Sequence, residues 1–330
     1  MPTICSHANH GPKETRLTFR SLFRSIAYWR AHKSHRRPSV SDLANHLDAI
    51  DARLSRLEQL AHGGKSVYVG DGRVLTKVSL RHWNIAYLLE SNDLLLVPHL
   101  IVNGYHEIDL TNYFLNNLRN HNNCLDVGAN FGYFTCIMGR WAPQGKTIAL
   151  EPDRRVFELL RDNIYINSLE GVAFPRLAAA SDGEGTLTLH RRITRSGNTS
   201  IAWIPDDVLA GMGEPPSQAF EAACLPIDRL LPSFDGRIDC IKIDVEGAEP
   251  LVVRGAHATI AQNPQIKIVM EWSPSQIHDV GFDPSAFVAE LGRLGLSPAA
   301  IATGGVGQPL TWDALLALPY HPGILLTRQP

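Results

Sequence analysis

The stretch "NNCLDVGANFGYFT", Asn122–Thr135, constrains the fold more than any other. Cys124–Val127 is short and mostly apolar, as a buried strand is. Gly128 and Gly132 mark a sharp turn, and the residues from Tyr133 onward carry helical spacing. A strand, a tight turn and a helix form half of a βαβ unit. The same order recurs downstream. Strands are expected at Cys124–Val127, Lys146–Leu150, Gly171–Ala178, Cys240–Ile243 and Ile266–Glu271. Helices are expected at Tyr133–Arg140, Arg154–Ser168, Ala248–Gly255 and beyond Asp283. This alternation predicts an α/β fold, a Rossmann-like, mainly parallel sheet with helices on both faces. Ligands of such sheets bind at the carboxyl ends of the strands, where the strand order reverses.

The turn "LDVGANFG" sits at such an end. It lacks the GxxxxGK[ST] of a phosphate loop, and Ala129 stands where GxGxxG would continue, which weighs against a dinucleotide. Asp126 would repel a pyrophosphate but attract a cation. S-adenosylmethionine has two cationic groups, a carboxylate for the helix end and no phosphate. "TIALEPD" ends the second expected strand, and Glu151 there suits two ribose hydroxyls. Asp126, Gly128, Ala129, Asn130, Gly132 and Glu151 are therefore the expected cofactor contacts. Ser181 and Asp182 of "AAASDGEG" are expected at the adenine edge, although Ser-Asp-Gly is equally ordinary turn chemistry.

The remainder of the chain divides into four stretches. Residues 1–38 are a basic segment in which Arg16–Arg37 holds seven lysines or arginines and no acid. Arg16, Arg20 and Arg24 would share one helix face and Leu22, Ile26 and Trp29 another, a pattern open to peripheral membrane contact or to a solvated tail. Residues 39–64 hold a heptad seam at Val40, Leu43, Leu47, Ile50, Leu54, Leu57 and Ala61, which predicts a short coiled coil and a homo-oligomer. Residues 65–121 read as a β-rich extension, with strands in "SVYVG", "GRVLTKVSL" and "NDLLLVP", then a helix in "DLTNYFLNNLRN". Residues 122–330 carry the alternating fold, with an extra strand in "GEGTLTL" and a surface loop in "PDDVLAGMGEPPSQAF". The net charge of −2 and pI near 6.7 weigh against nucleic acid as a partner. The five cysteines show no CxxC spacing, and with no apolar leader or run of about 18 apolar residues they suit the cytoplasm.

"CLDVGANFGYFTCIMGRWAPQGKTIALEPD", "NIYIN", "LPIDRLL" and "DCIKIDVEGAEPLVVRGAHATI" together resemble the FkbM family of S-adenosylmethionine-dependent methyltransferases, over roughly residues 103–272. The resemblance implies the class I methyltransferase fold. It also implies O-methylation, often of a sugar hydroxyl in a polysaccharide, glycolipid or glycosylated natural product. It says nothing of the basic segment or the heptads.

"KIDVEGAE" carries the acceptor chemistry. Lys242 and Asp244 alternate with Ile241 and Ile243, so both point one way. Asp244 and Glu246, supported by Lys242, are the expected catalytic residues. Two chemistries remain open: a carboxylate takes the acceptor's proton, or Asp244 and Glu271 hold Mg²⁺. Direct base catalysis leads, because two carboxylates make a thin metal site. Glu107 in "VNGYHEIDL" is expected near the ammonium of the methionine end. His278 is a second base candidate. Asn198, Thr199 and Ser200 form a polar loop on the substrate side, and Trp203 and Trp272 are candidates for stacking on a sugar or for the core. Two rival readings stand beside the methyltransferase: a nicotinamide-dependent oxidoreductase on a similar sheet, and a non-catalytic oligomeric scaffold.

Overall fold

A computed structural model describes residues 66–328. The basic segment and the heptad seam lie outside the described residues. The centre is an eight-stranded sheet in the order β13-β12-β14-β11-β10-β4-β5-β6. Its parallel half comprises β4 (Cys124–Val127), β5 (Thr147–Leu150), β6 (Ala173–Arg176), β10 (Cys240–Ile243) and β11 (Lys267–Trp272). The chain steps outward from β4 through β5 to β6, then returns to the other side of β4 as β10. The strand order therefore reverses between β4 and β10, where a doubly wound sheet opens a crevice. β14 (His321–Arg328) runs antiparallel between β11 and β12 (Leu296–Ala302), and β13 (Val306–Pro309) closes that edge. The sheet is Rossmann-like, as the alternation of strand and helix predicts.

Period-two alternation makes two cores. Leu125, Val127, Ile148, Leu150, Ile241 and Ile243 fill one face. Cys124, Ala149, Cys240 and Val269 fill the other. Asp126 and Lys242 fall on that second face, and parallel register sets them directly opposite each other.

Two smaller sheets flank the centre. β1 (Val67–Gly70), β2 (Arg73–Leu80) and β3 (Trp83–Glu90) form an antiparallel meander. β7 (Ala179–Ala180), β9 (Gln218–Leu225) and β8 (Gly185–Arg191) form the other, in that order. The two asparagines of "NIYIN" stitch β3 onto the helix after β5. Asn163 exchanges hydrogen bonds with the Leu88 backbone (2.6 and 3.0 Å), and Asn167 does so with Ala86 (3.0 and 2.7 Å). Both side chains thereby replace a missing neighbour strand.

Some local expectations change. "NDLLLVP" is not a strand: Leu96–Asn103 is a helix, α1. Asp93 explains the switch, since its Oδ1 accepts the Leu95 and Leu96 N–H groups at 2.9 and 2.7 Å and starts the turn. The third strand comes earlier, with Ile85, Tyr87 and Leu89 buried in alternation. α2 spans Ile108–Asn117, α3 Tyr133–Trp141 and α4 Arg154–Ile166. The expected loop after Ile204 contains a short helix, α5 (Asp206–Gly211), with two acids in its first turn, and ends where β9 begins. The helices that follow are α6 (Glu249–Arg254), α7 (His257–Gln262), α8 (Pro274–Asp279), α9 (Pro284–Arg293) and α10 (Trp312–Leu316). Among the described residues no helix is long and apolar enough to cross a membrane.

Candidate active site

A cavity of about 240 Å³ opens at the β4/β10 reversal. Its floor is the glycine turn. Gly128 has φ +74°, and an added Cβ would sit 1.8 Å from the carbonyl oxygen of Asp244. Glycine is thus required both for the turn and for the close passage of the β10 loop. The Gly128 and Ala129 N–H groups both donate to the Leu150 carbonyl, at 3.1 and 3.0 Å. Asn130 has φ +51° and donates its N–H to Glu151 Oε2 at 2.9 Å. Glu151 Oε1 accepts from Asp153 N at 2.8 Å. Burial pushes the Glu151 carboxyl up to about 8, against the pull of those two N–H donors.

Gly128, Ala129, Asn130 and Glu151 line the cavity; Asp126 and Gly132 do not. Asp126 is fully buried, accepts from Thr135 Oγ1 at 2.6 Å and faces Lys242 Nζ at 3.9 Å. It is the third residue of β4, so it points into the sheet face rather than out of the strand end. Gly132 serves packing, because a Cβ there would meet Leu160 Cδ1 at 2.6 Å. Ser181 and Asp182 also miss the cavity, whose wall on that side is Ala178–Ala180. Ser181 is buried with its N–H on the Leu225 carbonyl, and Asp182 is exposed.

The opposite end is acidic. Glu107, Lys242, Asp244, Glu246 and Glu271 all line it. Carboxylate oxygens of Asp244, Glu246 and Glu271 lie within 4.8 Å of one another. Lys242 Nζ reaches Asp244 Oδ2 at 3.0 Å and sits 5.2 Å from the centre of the Phe134 ring. Burial alone would lower the Lys242 pKa, but Asp244, Asp126 and Glu107 outweigh it and hold the ammonium charged. Burial, then the charge of Asp244, pushes Glu107 up to about 7, Glu246 to about 8 and Glu271 to about 10. The turn that presents these acids is held from below by Glu249, whose Oε1 accepts from Val245 N at 3.2 Å and Gly247 N at 3.4 Å.

Three non-glycine residues with left-handed backbone border the cavity: Glu107 (φ 43°), Asn130 (φ 51°) and Glu246 (φ 55°). Such conformations cost about 1–3 kcal/mol each and persist only where the surroundings enforce them. Glu246 is enforced at both oxygens. Asn198 Nδ2 donates to Oε1 at 3.1 Å and Gln276 Nε2 donates to Oε2, while Ser200 Oγ caps the Glu246 carbonyl at 2.9 Å.

Of the other candidates, Asn198 and Thr199 line the cavity, but His278 is exposed and outside it. Trp272 is fully buried with Nε1 on the Leu318 carbonyl, so it belongs to the core. Trp203 is 58% exposed and is not among the lining residues. Sequence reasoning missed His106, Tyr320 and the apolar wall of Leu187, Leu189 and Ile201. Burial keeps His106 neutral by lowering its pKa to about 4. Tyr320 donates to Glu271 Oε1 at 3.0 Å. The alternation of "GTLTLHR" was the available signal for Leu187 and Leu189.

A family model described as the methyltransferase FkbM domain matches residues 126–295. The chain is 28% identical over 201 residues to the methyltransferase sdnD of Sordaria araneosa, across 52% of this chain and 77% of that protein. Among solved structures it is similar to an O-methyltransferase from Bacillus cereus in complex with SAH. That similarity has TM-score 0.37 and 13% identity, covering 67% of this chain and 80% of that one. It is also similar to a TehB-like SAM-dependent methyltransferase from Corynebacterium glutamicum, with TM-score 0.38 and 10% identity, covering 70% and 94%. Half of the chain, from the acid of β4 to the end of α9, matches the family model, and the chain belongs to the FkbM family of S-adenosylmethionine-dependent methyltransferases.

Proposed function

We propose that the protein transfers the methyl group of S-adenosylmethionine to a hydroxyl of a carbohydrate acceptor, in a polysaccharide, glycolipid or glycosylated natural product. One observation carries the reading: a single cavity has a buried ribose-type acceptor, Glu151, at one end and three converging carboxylates at the other. The cofactor suits the first end. Glu151 keeps lone pairs beyond the two that its backbone donors use. Leu187, Leu189 and Ala178–Ala180 offer an apolar slot for a flat ring. Glu107 retains a buried Oε2 with no partner, which suits the ammonium of the methionine end. S-adenosylmethionine supplies an electrophilic methyl carbon; this chain's residues orient the acceptor and take up its proton. In-line approach makes positioning the larger part of the rate.

Asp244 is the proposed base, with Lys242 holding the carboxylate by one oxygen. Mg²⁺ also fits. Glu246 joins Asp244 and Glu271, so the donor set is three carboxylates rather than two, and Glu271 Oε2 is buried without a partner. Burial keeps protons on Glu246 and Glu271, and a divalent cation would displace them. Such a cation would lower the proton affinity of an acceptor hydroxyl.

Titration calorimetry with S-adenosylhomocysteine, with and without Mg²⁺ and beside NADH, tests this reading. Micromolar binding of S-adenosylhomocysteine and none of NADH is expected. Binding of NADH instead would return the oxidoreductase reading. Cofactor binding without product formation on any glycan would favour the scaffold.

A further inference from the structure

A second cavity, of about 100 Å³, lies behind Glu246. It shares Asn198 and Glu246 with the first, so one carboxylate and one amide separate the two. Its far wall includes His190 of β8, Ala202 and Ser217, and Gln276 and Asp279 of α8.

The two amides fix its chemistry. Asn198 and Gln276 both turn their N–H groups to the Glu246 carboxylate. Their carbonyl oxygens must then face away from it. Both oxygens, Asn198 Oδ1 and Gln276 Oε1, are buried and without a hydrogen-bond partner. An unpaired buried acceptor is costly and points to a missing donor. The cavity's arginine does not favour an anion. Arg192 is paired through Nε (2.7 Å) and Nη2 with the buried Glu214 carboxylate. Glu246 and Asp279 add acceptors and no positive charge. The site therefore favours groups rich in O–H or N–H donors and disfavours phosphates and carboxylates.

We infer that this cavity is a second acceptor subsite, binding a hydroxyl-rich ring without anionic groups next to the one that is methylated. The acceptor is then a linked sugar rather than a free monosaccharide. This rests on the methyl-transfer reading of the first cavity. Glu246, clamped between the subsites, would face hydroxyls on both sides, so recognition of the second ring would position the first.

Saturation-transfer NMR on the full chain tests it, with the methyl glycosides of glucose, mannose, galactose and rhamnose as probes. Each is read with and without S-adenosylhomocysteine, and inorganic phosphate is the anionic control. At least one glycoside should give a signal. Gln276→Met, which removes one amide, should weaken it at least about tenfold. Ala202→Phe fills the second cavity, which Ala202 lines and the first does not share, and should weaken the signal likewise, leaving only binding in the first cavity. Both variants should keep wild-type affinity for S-adenosylhomocysteine, which shows that they fold. No signal from any of the four, a signal unchanged in both variants, or phosphate displacing the glycoside would overturn the inference. Lost binding of S-adenosylhomocysteine with glycoside binding retained would strike the cofactor reading and leave the subsite standing.

Discussion

Glu151 makes the most discriminating test of the cofactor end. Its carboxyl is buried, and burial pushes its pKa up to about 8. Ribose hydroxyls donate hydrogen bonds, so they favour the ionised form. Below pH 8 the free protein carries a proton there that must leave when the ligand binds. Affinity for S-adenosylhomocysteine should therefore rise with pH and level off above about 8. At pH 6.5 the loss relative to the plateau should be about 30-fold, one tenfold step per unit below the pKa. Glu151→Gln removes the titrating group and one charge-assisted hydrogen bond, costing about 1.5–3 kcal/mol, or roughly 10- to 150-fold in Kd. The deficit should be largest at pH 8.5 and should narrow toward pH 6.5, where the wild-type group is already protonated. Calorimetry in two buffers of different ionisation enthalpy would read both affinity and the released proton. The amine and carboxylate of the ligand titrate identically with either protein, so the difference isolates Glu151. If wild type and variant bind equally, or their pH profiles are parallel, Glu151 does not contact the ribose.

Four further outcomes are expected. Asp244→Asn should leave the Kd for S-adenosylhomocysteine within about twofold and cut methyl transfer at least about 100-fold, read as product released with an accepted glycan; normal turnover would remove Asp244 as base. Glu271→Gln should weaken Mn²⁺ binding, followed by electron paramagnetic resonance, at least about tenfold, and equal binding would leave the carboxylates without a metal role. Gly128→Ala should destabilise the fold by about 2–4 kcal/mol in denaturant titration, because the new methyl meets the Asp244 carbonyl at a left-handed backbone position; a wild-type midpoint would contradict the close passage. If the heptads of residues 39–64 assemble the chain, replacing Leu47 and Leu54 by Asp should move the mass in light scattering toward monomer, and an unchanged mass would refute the coiled-coil expectation.

What could be read from the sequence depended on where each residue stood along its strand. β4 and β10 were found to the residue, because central strands of a covered parallel sheet are short apolar runs ended by glycine or acid. Glu151 follows the last residue of β5 and lines the cavity, as an acid just past a strand end should. Asp126 looked equivalent but precedes the last residue of β4. Period-two geometry then sends it into the sheet face, where cross-strand register sets it against Lys242. The lysine's nearness to Asp244 was legible, since the two stand two residues apart on one extended run. Its proximity to Asp126 depended on the register between strands, which is not written locally. The same limit hid Tyr320 and Gln276, which reach Glu271 and Glu246 from distant segments. The C-terminal strands escaped because "LSPAAIATGGVGQP" is small, proline-broken and weak in β propensity; they form by pairing on β14, which is itself seated on β11. Local pattern therefore identified the glycine turn that borders the cavity, whereas the acidic end is assembled from tertiary contacts. Asn198 and Gln276 are one such case: which carboxylate they grip follows from the packing of their segments and not from their neighbours in sequence.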